Sequence, residues 1–291
     1  MREEVRKIQE LLRRQAYITD AAVATSLYLA MALGKPLLIE GPSGVGKTQI
    51  ARALADALDT KLVRLQCYEG LDATTAIYEW NYPKQLLHIK LQELAMGSAA
   101  EKEAEIFGEP FLLKRPLLEA ITNQTGSPVL LIDEIDRSDE EFEAFLLEIL
   151  SEFQVTIPEI GTISATHRPY VVLTSNRSRE LSDALRRRCL YLWIDYPSYE
   201  KELEIVRAKV PAIGAGLSEE VTRVIQAIRK LHLVKIPGVA ETLDWATALV
   251  TLNTERLDRD LIAETAGCLL KDEADLRKFE EELSAGTIIK T

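Results

Sequence analysis

The stretch that decides the fold runs Lys35-Pro36-Leu37-Leu38-Ile39-Glu40-Gly41-Pro42-Ser43-Gly44-Val45-Gly46-Lys47-Thr48. Its first half, Lys35–Gly41, is a short apolar run ending in glycine, which predicts a buried strand. Beyond it, Ile50, Leu54 and Leu58 fall on one face at helical spacing, which predicts a helix. Between strand and helix, Gly41–Thr48 satisfies G-x-x-x-x-G-K-[ST] at every fixed position. Glycines let such a loop turn tightly and aim successive backbone N–H groups at one point. The N-terminus of the following helix adds partial positive charge there. A loop of this build suits the oxygens of a polyphosphate.

Working outward, strand and helix signals alternate. Leu62–Gln66 reads as a second strand. Val129–Ile132 is a continuous apolar run, as expected of a central parallel strand covered on both faces. Ser138-Asp139-Glu140-Glu141 reads as a capping box opening a helix with Phe142, Phe145, Leu146, Ile149, Leu150 and Phe153 on its apolar stripe. Tyr170–Thr174 and Leu190–Ile194 complete the strands. The alternation predicts an α/β fold, a doubly wound parallel sheet. After Pro197 the pattern is helical only. Ser198 caps a helix to about Lys209, a second stripe runs from Val221 to Leu231, Pro237-Gly238 breaks the chain, and a third helix carries Leu243, Trp245, Leu249 and Leu252. Two more follow at 257–271 and 272–284. The expected domains are 1–196, nucleotide-binding, and 197–291, an all-α lid.

Composition narrows the function. Hydrophobic residues make up 47% of the 291 and charged residues 28%, the balance of a globular protein rather than a disordered one. A net charge of −11 argues against nucleic acid as the default partner, since phosphate backbones need a basic surface. Residues 1–15 mix acids with bases and lack an apolar signal core. The longest apolar stretch, Ala21–Leu33, carries Thr25 and Ser26 and is too short to span a bilayer. A cytoplasmic protein without a membrane span is expected. Cys67, Cys189 and Cys268 are odd in number and too far apart for metal-ligand spacing, so they read as free thiols.

Three further motifs carry chemistry. Val129-Leu130-Leu131-Ile132-Asp133-Glu134 puts an acidic pair at the tip of a buried strand, where ligands of open α/β sheets sit. Asp133 can hold Mg²⁺ and Glu134 can polarise an attacking water as general base. Thr174-Ser175-Asn176 ends the next apolar strand, and the Asn176 amide could orient that water. Ala184-Leu185-Arg186-Arg187-Arg188-Cys189 precedes the last strand, and an arginine there could reach a neighbouring subunit's γ-phosphate and stabilise transition-state charge. With these motifs in place, the loop of Gly41, Pro42, Ser43, Gly44, Val45, Gly46, Lys47, Thr48 and Gln49 reads as an ATP cradle. Lys47 neutralises the β- and γ-phosphates and Thr48 ligates Mg²⁺. The chain has no Asn-Lys-x-Asp for guanine and no ABC signature. The reading requires the 41–48 loop and the 133–134 pair to face one edge of the sheet.

The order and spacing of these motifs, followed by a helical segment, resemble the AAA+ ATPases over nearly the whole chain. Within them the chain resembles the MoxR family, through Leu113–Leu118 (LKRPLL), Phe153–Ile163 (FQVTIPEIGTI) and residues 174–198 (TSNRSRELSDALRRRCLYLWIDYPS). Leu65–Lys90, with QCYEG and YEWNYPKQLLHIK, resembles the CoxD-like branch, the carbon monoxide dehydrogenase accessory type. The resemblance implies a Mg-dependent ATPase in a hexameric homo-oligomeric ring, a chaperone working with a von Willebrand A domain partner on a client protein or metalloenzyme. It also implies a hairpin at 153–163, Arg188 as the finger with Arg187 as neighbour, and Tyr17 and Ile18 against adenine. One departure stands out. The family's lids commonly place an arginine near the start of their third helix, but residues 237–242 read PGVAET.

Two other readings remain open on the sequence. One is a DNA-acting AAA+ motor, disfavoured because residues 153–163 hold no Lys or Arg. The other is an ATP-binding scaffold or switch. His88, His167 and His232 are scattered and read as ordinary histidines. Tyr78, Trp80 and Tyr82 at period two suit a core strand or a client-facing loop. The charged run Glu101–Glu105 reads as a solvated helix face.

Overall fold

The computed structural model describes residues 2–91 and 106–288, so the run expected at Glu101–Glu105 lies outside the described residues. Five strands form the main sheet: β1 Leu37–Glu40, β2 Leu62–Gln66, β5 Val129–Asp133, β8 Tyr170–Ser175 and β9 Leu190–Trp193. Their order is β2-β5-β8-β1-β9. β2 with β5, β5 with β8, and β8 with β1 all pair in parallel. Burial follows position in this order. β1 and β5 are buried at every residue and β8 at all but its first, whereas β2 and β9 alternate. Central parallel strands are covered on both faces, which is why their sequences are unbroken apolar runs.

The chain divides into two compact units: residues 22–40 with 51–192, and residues 1–21 with 41–50 and 193–291. The sheet core of the first unit includes Leu38, Leu65, Leu117, Ile132, Leu146 and Leu173, all 5% exposed or less. Its helix Glu140–Glu152 is capped by Asp139, whose carboxylate accepts from the Phe142 amide at 2.8 Å. The cap expected at Ser138 therefore shifts by one residue. The Ser138 hydroxyl instead donates to the Ile135 carbonyl at 2.8 Å and closes the turn before the helix. The expected hairpin forms from β6 Gln154–Ile157 and β7 Gly161–Ser164, paired antiparallel. Tyr78–Trp80 is a strand, β3, paired antiparallel with β4 Leu112–Lys114, whereas Tyr82 opens a helix and is exposed.

The second unit is helical beyond β9. Helices Tyr199–Lys209, Ala215–Ile228, Val239–Thr251, Arg259–Thr265 and Glu273–Ser284 surround a core containing Val206, Val221, Ile225, Trp245, Leu249 and Phe279. Ser198 caps the first of these, accepting from the Lys201 amide at 3.4 Å. Glu202, fully buried, takes Arg229 through both carboxylate oxygens at 2.6 Å and accepts from the Thr242 hydroxyl at 2.8 Å. Among the described residues no helix is long and apolar enough to cross a membrane.

Candidate active site

The glycine loop has the backbone its sequence demands. Gly44 and Gly46 have φ of 77° and 92°, a region open to glycine at no steric cost. A Cβ on Gly41 would lie 2.0 Å from the Ile194 carbonyl oxygen, so only glycine fits there. Lys47 opens the helix Lys47–Ala57 and is 7% exposed. Its ammonium donates to the Gly41 and Pro42 carbonyls at 2.8 and 2.7 Å, so the loop's own oxygens hold the cation beneath it. In the same unit, the amides of Val239 and Ala240 donate to the Gly44 carbonyl at 2.8 and 3.4 Å. The first turn of helix Val239–Thr251 thus binds the loop through backbone groups, at the place where an arginine was expected and is missing. The Glu241 carboxylate accepts from the Gly238 amide at 2.9 Å and completes that helix start. Tyr17 and Ile18 follow helix Arg2–Arg14. Ile18 lines an open groove with Arg6, Arg13 and Glu204, and burial, with a smaller push from Asp20, raises the Tyr17 hydroxyl above its ordinary pKa.

In the sheet unit the acidic pair is built into a polar lattice. Asp133, 2% exposed, accepts from the Thr174 hydroxyl at 2.5 Å and from Arg64 Nη2 at 2.6 Å. Glu134 has φ 56° and ψ 49°, the left-handed region that a glutamate adopts only under constraint. Its amide donates to the same Thr174 hydroxyl at 2.9 Å. Its carboxylate accepts from Gln66 Nε2 at 3.1 Å and Arg137 Nη1 at 3.3 Å. Asp136, 3% exposed, fixes the chain after β8. It accepts from the backbone N–H of Asn176 at 3.2 Å, the backbone N–H of Ser178 at 2.8 Å and the Ser178 hydroxyl at 2.7 Å. The structure thereby places the predicted residues Asp133 and Glu134 in one hydrogen-bonded set and Asn176 in a second, held by Asp136, at the carboxyl ends of β5 and β8.

Arg64, Gln66 and Asp136 were not singled out from the sequence. The available signal was a polar residue closing an apolar strand, and Gln66 in fact pairs in register with Asp133. The three arginines of helix Asp183–Arg188 part company. Arg186 pairs with Glu40 at 2.9 Å, Arg188 donates to the Leu147 carbonyl at 2.8 Å, and Arg187 is exposed. Cys67, beside this network, donates its amide to the Asp133 carbonyl at 2.9 Å. Burial first, then the charges of Asp133, Asp136 and Glu134, push its thiol up to about 12.

A family model for the AAA domain of the dynein-related subfamily matches residues 36–189, just over half of the chain. The protein belongs to this AAA family. Nucleotide binding and ATP hydrolysis come with that membership, and members typically assemble into rings. The AAA chain is 24% identical over 287 residues to the gas vesicle ATPase GvpN of Haloferax mediterranei, covering 93% of this chain and 80% of the relative. It is 22% identical over 255 residues to the Holliday junction branch migration complex subunit RuvB of Thermotoga maritima, covering 85% of this chain and 63% of that one. A solved structure of a mutant Thermotoga maritima RuvB superposes with a TM-score of 0.51 at 20% identity, covering 92% of this chain and 75% of that one, a likeness of fold.

Proposed function

We propose that this AAA+ protein is a MoxR-type chaperone ATPase that hydrolyses Mg·ATP at the subunit interfaces of a hexameric ring. The observation that carries the reading is the sheet order. β1, β8 and β5 are consecutive parallel strands, so the loop leaving β1, Asn176 after β8 and Asp133-Glu134 at the end of β5 all issue from carboxyl ends on one sheet edge. The residues suit the ligand. Positive-φ glycines form the loop, and the buried Lys47 ammonium donates to two of its neutral carbonyls, acceptors that anionic oxygens would outcompete. In this reading Gly41–Gln49 bind the phosphates, Lys47 neutralises them, and Thr48 and Asp133 hold Mg²⁺, which when bound supplies charge neutralisation of the phosphate oxygens. Glu134 takes the proton of the attacking water and Asn176 orients that water. Arg188, flanked by Arg187, acts on a neighbour's γ-phosphate, and Tyr17 and Ile18 pack against the base. Residues 1–196 form the nucleotide domain and 197–291 the lid.

The test is steady-state ATPase activity with equilibrium nucleotide binding. Lys47→Ala is expected to lose Mg·ATP binding. Glu134→Gln is expected to keep binding and lose turnover by roughly 10²-fold or more, as removal of a general base does. Wild-type turnover in Glu134→Gln would refute the assigned base. Beyond the catalytic reading, we infer a cytoplasmic machine of the CoxD-like branch that remodels a client protein or metalloenzyme with a von Willebrand A domain partner. The family motifs at 65–90 and 153–163 support this, and co-purification from native cells tests it. Likeness to RuvB keeps a DNA-acting motor as the second reading, against the net charge of −11. Salt-resistant duplex binding in a gel-shift assay would favour that motor.

A further inference from the structure

Glu40, the last residue of β1, is 0% exposed, and the catalytic roles assigned above leave it unused. Its Oε1 accepts from Arg186 Nη2 at 2.9 Å. Its Oε2 accepts from the Tyr191 hydroxyl at 3.1 Å, and Arg177 Nε lies 3.7 Å away. Each partner comes from a different functional segment. Arg186 sits two residues before Arg188 on helix Asp183–Arg188. Arg177 directly follows Asn176 and is held at φ 59°, a conformation a non-glycine residue keeps only when its surroundings impose it. Tyr191 lies on β9, and Glu40 itself precedes Gly41 of the glycine loop. A buried, fully desolvated carboxylate adds little to stability over an apolar residue of similar size; what it supplies is a fixed geometry for its partners. We propose that Glu40 is a positioning residue that locks the arginine-bearing helix and the Asn176 turn to the root of the phosphate loop, with Arg186 consumed as its structural counter-ion. The inference rests on the reading that Arg188 serves a neighbouring subunit's nucleotide.

That dependence sets the experiment. Full-length wild-type protein is mixed with increasing shares of an inactive subunit, and ATPase turnover is followed. Glu134→Gln subunits lack their own base but still lend an intact arginine helix. Adding Glu40→Gln to the Glu134→Gln background preserves side-chain shape and removes the charge that holds Arg186. We expect this double variant to poison wild-type activity more steeply than Glu134→Gln alone, approaching the curve of Glu134→Gln with Arg188→Ala. The Glu40→Gln single variant should keep its thermal midpoint and its Mg·ATP affinity within about threefold while kcat falls roughly tenfold or more, a split that a folding defect would not produce. Arg186→Gln in the same background is the second variant and should give the same steep curve. If the Glu40 and Arg186 doubles track Glu134→Gln while the Arg188 double is steeper, Glu40 does not act through the arginine helix and the proposal is overturned. If no double differs from Glu134→Gln, the finger assignment fails and the Glu40 proposal falls with it.

Discussion

Glu134 occupies a left-handed conformation because its amide and carboxylate are both held, by the Thr174 hydroxyl and by Gln66 with Arg137. A non-glycine residue there stores about 1–3 kcal/mol, which the surrounding network must offset. The acidic pair itself was legible from the sequence, because two carboxylates ending an apolar run are an outlier in one dimension. Its partners were not, since Arg64 and Gln66 on β2 join the pair only through strand pairing across 68 residues or more of chain. The same neighbourhood governs Cys67. With its thiol pKa raised to about 12, Cys67 stays protonated near pH 8 and should be alkylated far more slowly in the folded than in the unfolded protein, as read by mass spectrometry of labelled peptides. The sign for stability follows. A thiol whose folded pKa exceeds its unfolded value, about 8.5, favours the fold below that pH and loses this contribution as pH climbs towards 12. Comparable labelling rates in the folded and unfolded states would contradict the burial and the charges described around the thiol.

At the scale of elements, strands and long helices were readable wherever burial imposed a period. The central strands were found as apolar runs, and the helix from Ser198 matched the observed Tyr199–Lys209 with its cap. The reading slipped where polar chemistry competes locally. Ser138 and Asp139 can both cap a helix, and the choice fell to Asp139 because Ser138 was already engaged by the Ile135 turn. It also slipped where a backbone contact replaces a side chain. The start of helix Val239–Thr251 carries no arginine, and nothing in PGVAET announces that its amides cap the Gly44 carbonyl. Gly238 has φ −87°, so alanine is allowed by its backbone, but a Cβ there would sit 2.7 Å from Gly44 Cα and 2.8 Å from its carbonyl oxygen. Gly238→Ala should therefore displace the glycine loop with little loss of fold. The expected cost is roughly 10- to 100-fold in kcat/KM, the scale on which small misplacements act. Arg229→Ala should do the reverse and strike stability, because it strands the fully buried Glu202 carboxylate. About 3–5 kcal/mol should be lost in urea unfolding, and replacing Glu202 and Arg229 together by apolar residues should cost less. Equal losses would mean the pair is not the desolvated unit its geometry describes.

At the scale of the whole molecule, the family and the parallel sheet could be read from the sequence because the fixed motif positions lie at strand ends, and strand ends are what a sheet order brings to one edge. What a single chain's sequence carries only indirectly is a residue whose partner belongs to another copy. Arg188 is such a residue in the proposed ring. It is exposed and its guanidinium donates to the Leu147 carbonyl at 2.8 Å, a neutral acceptor that a phosphate oxygen would outcompete. Completion of the site by a second subunit has a kinetic signature that mutation alone does not. Turnover per subunit should rise with protein concentration as copies assemble and then level off, whereas Arg188→Ala should stay flat at a rate about 10³-fold lower, the cost of removing an arginine finger. Mg·ATP binding should survive the substitution, since charge supplied to the transition state contributes little to the ground state. Concentration-independent turnover in the wild type, with Arg188→Ala unimpaired, would make each chain a self-sufficient ATPase and leave the arginine helix a purely structural element.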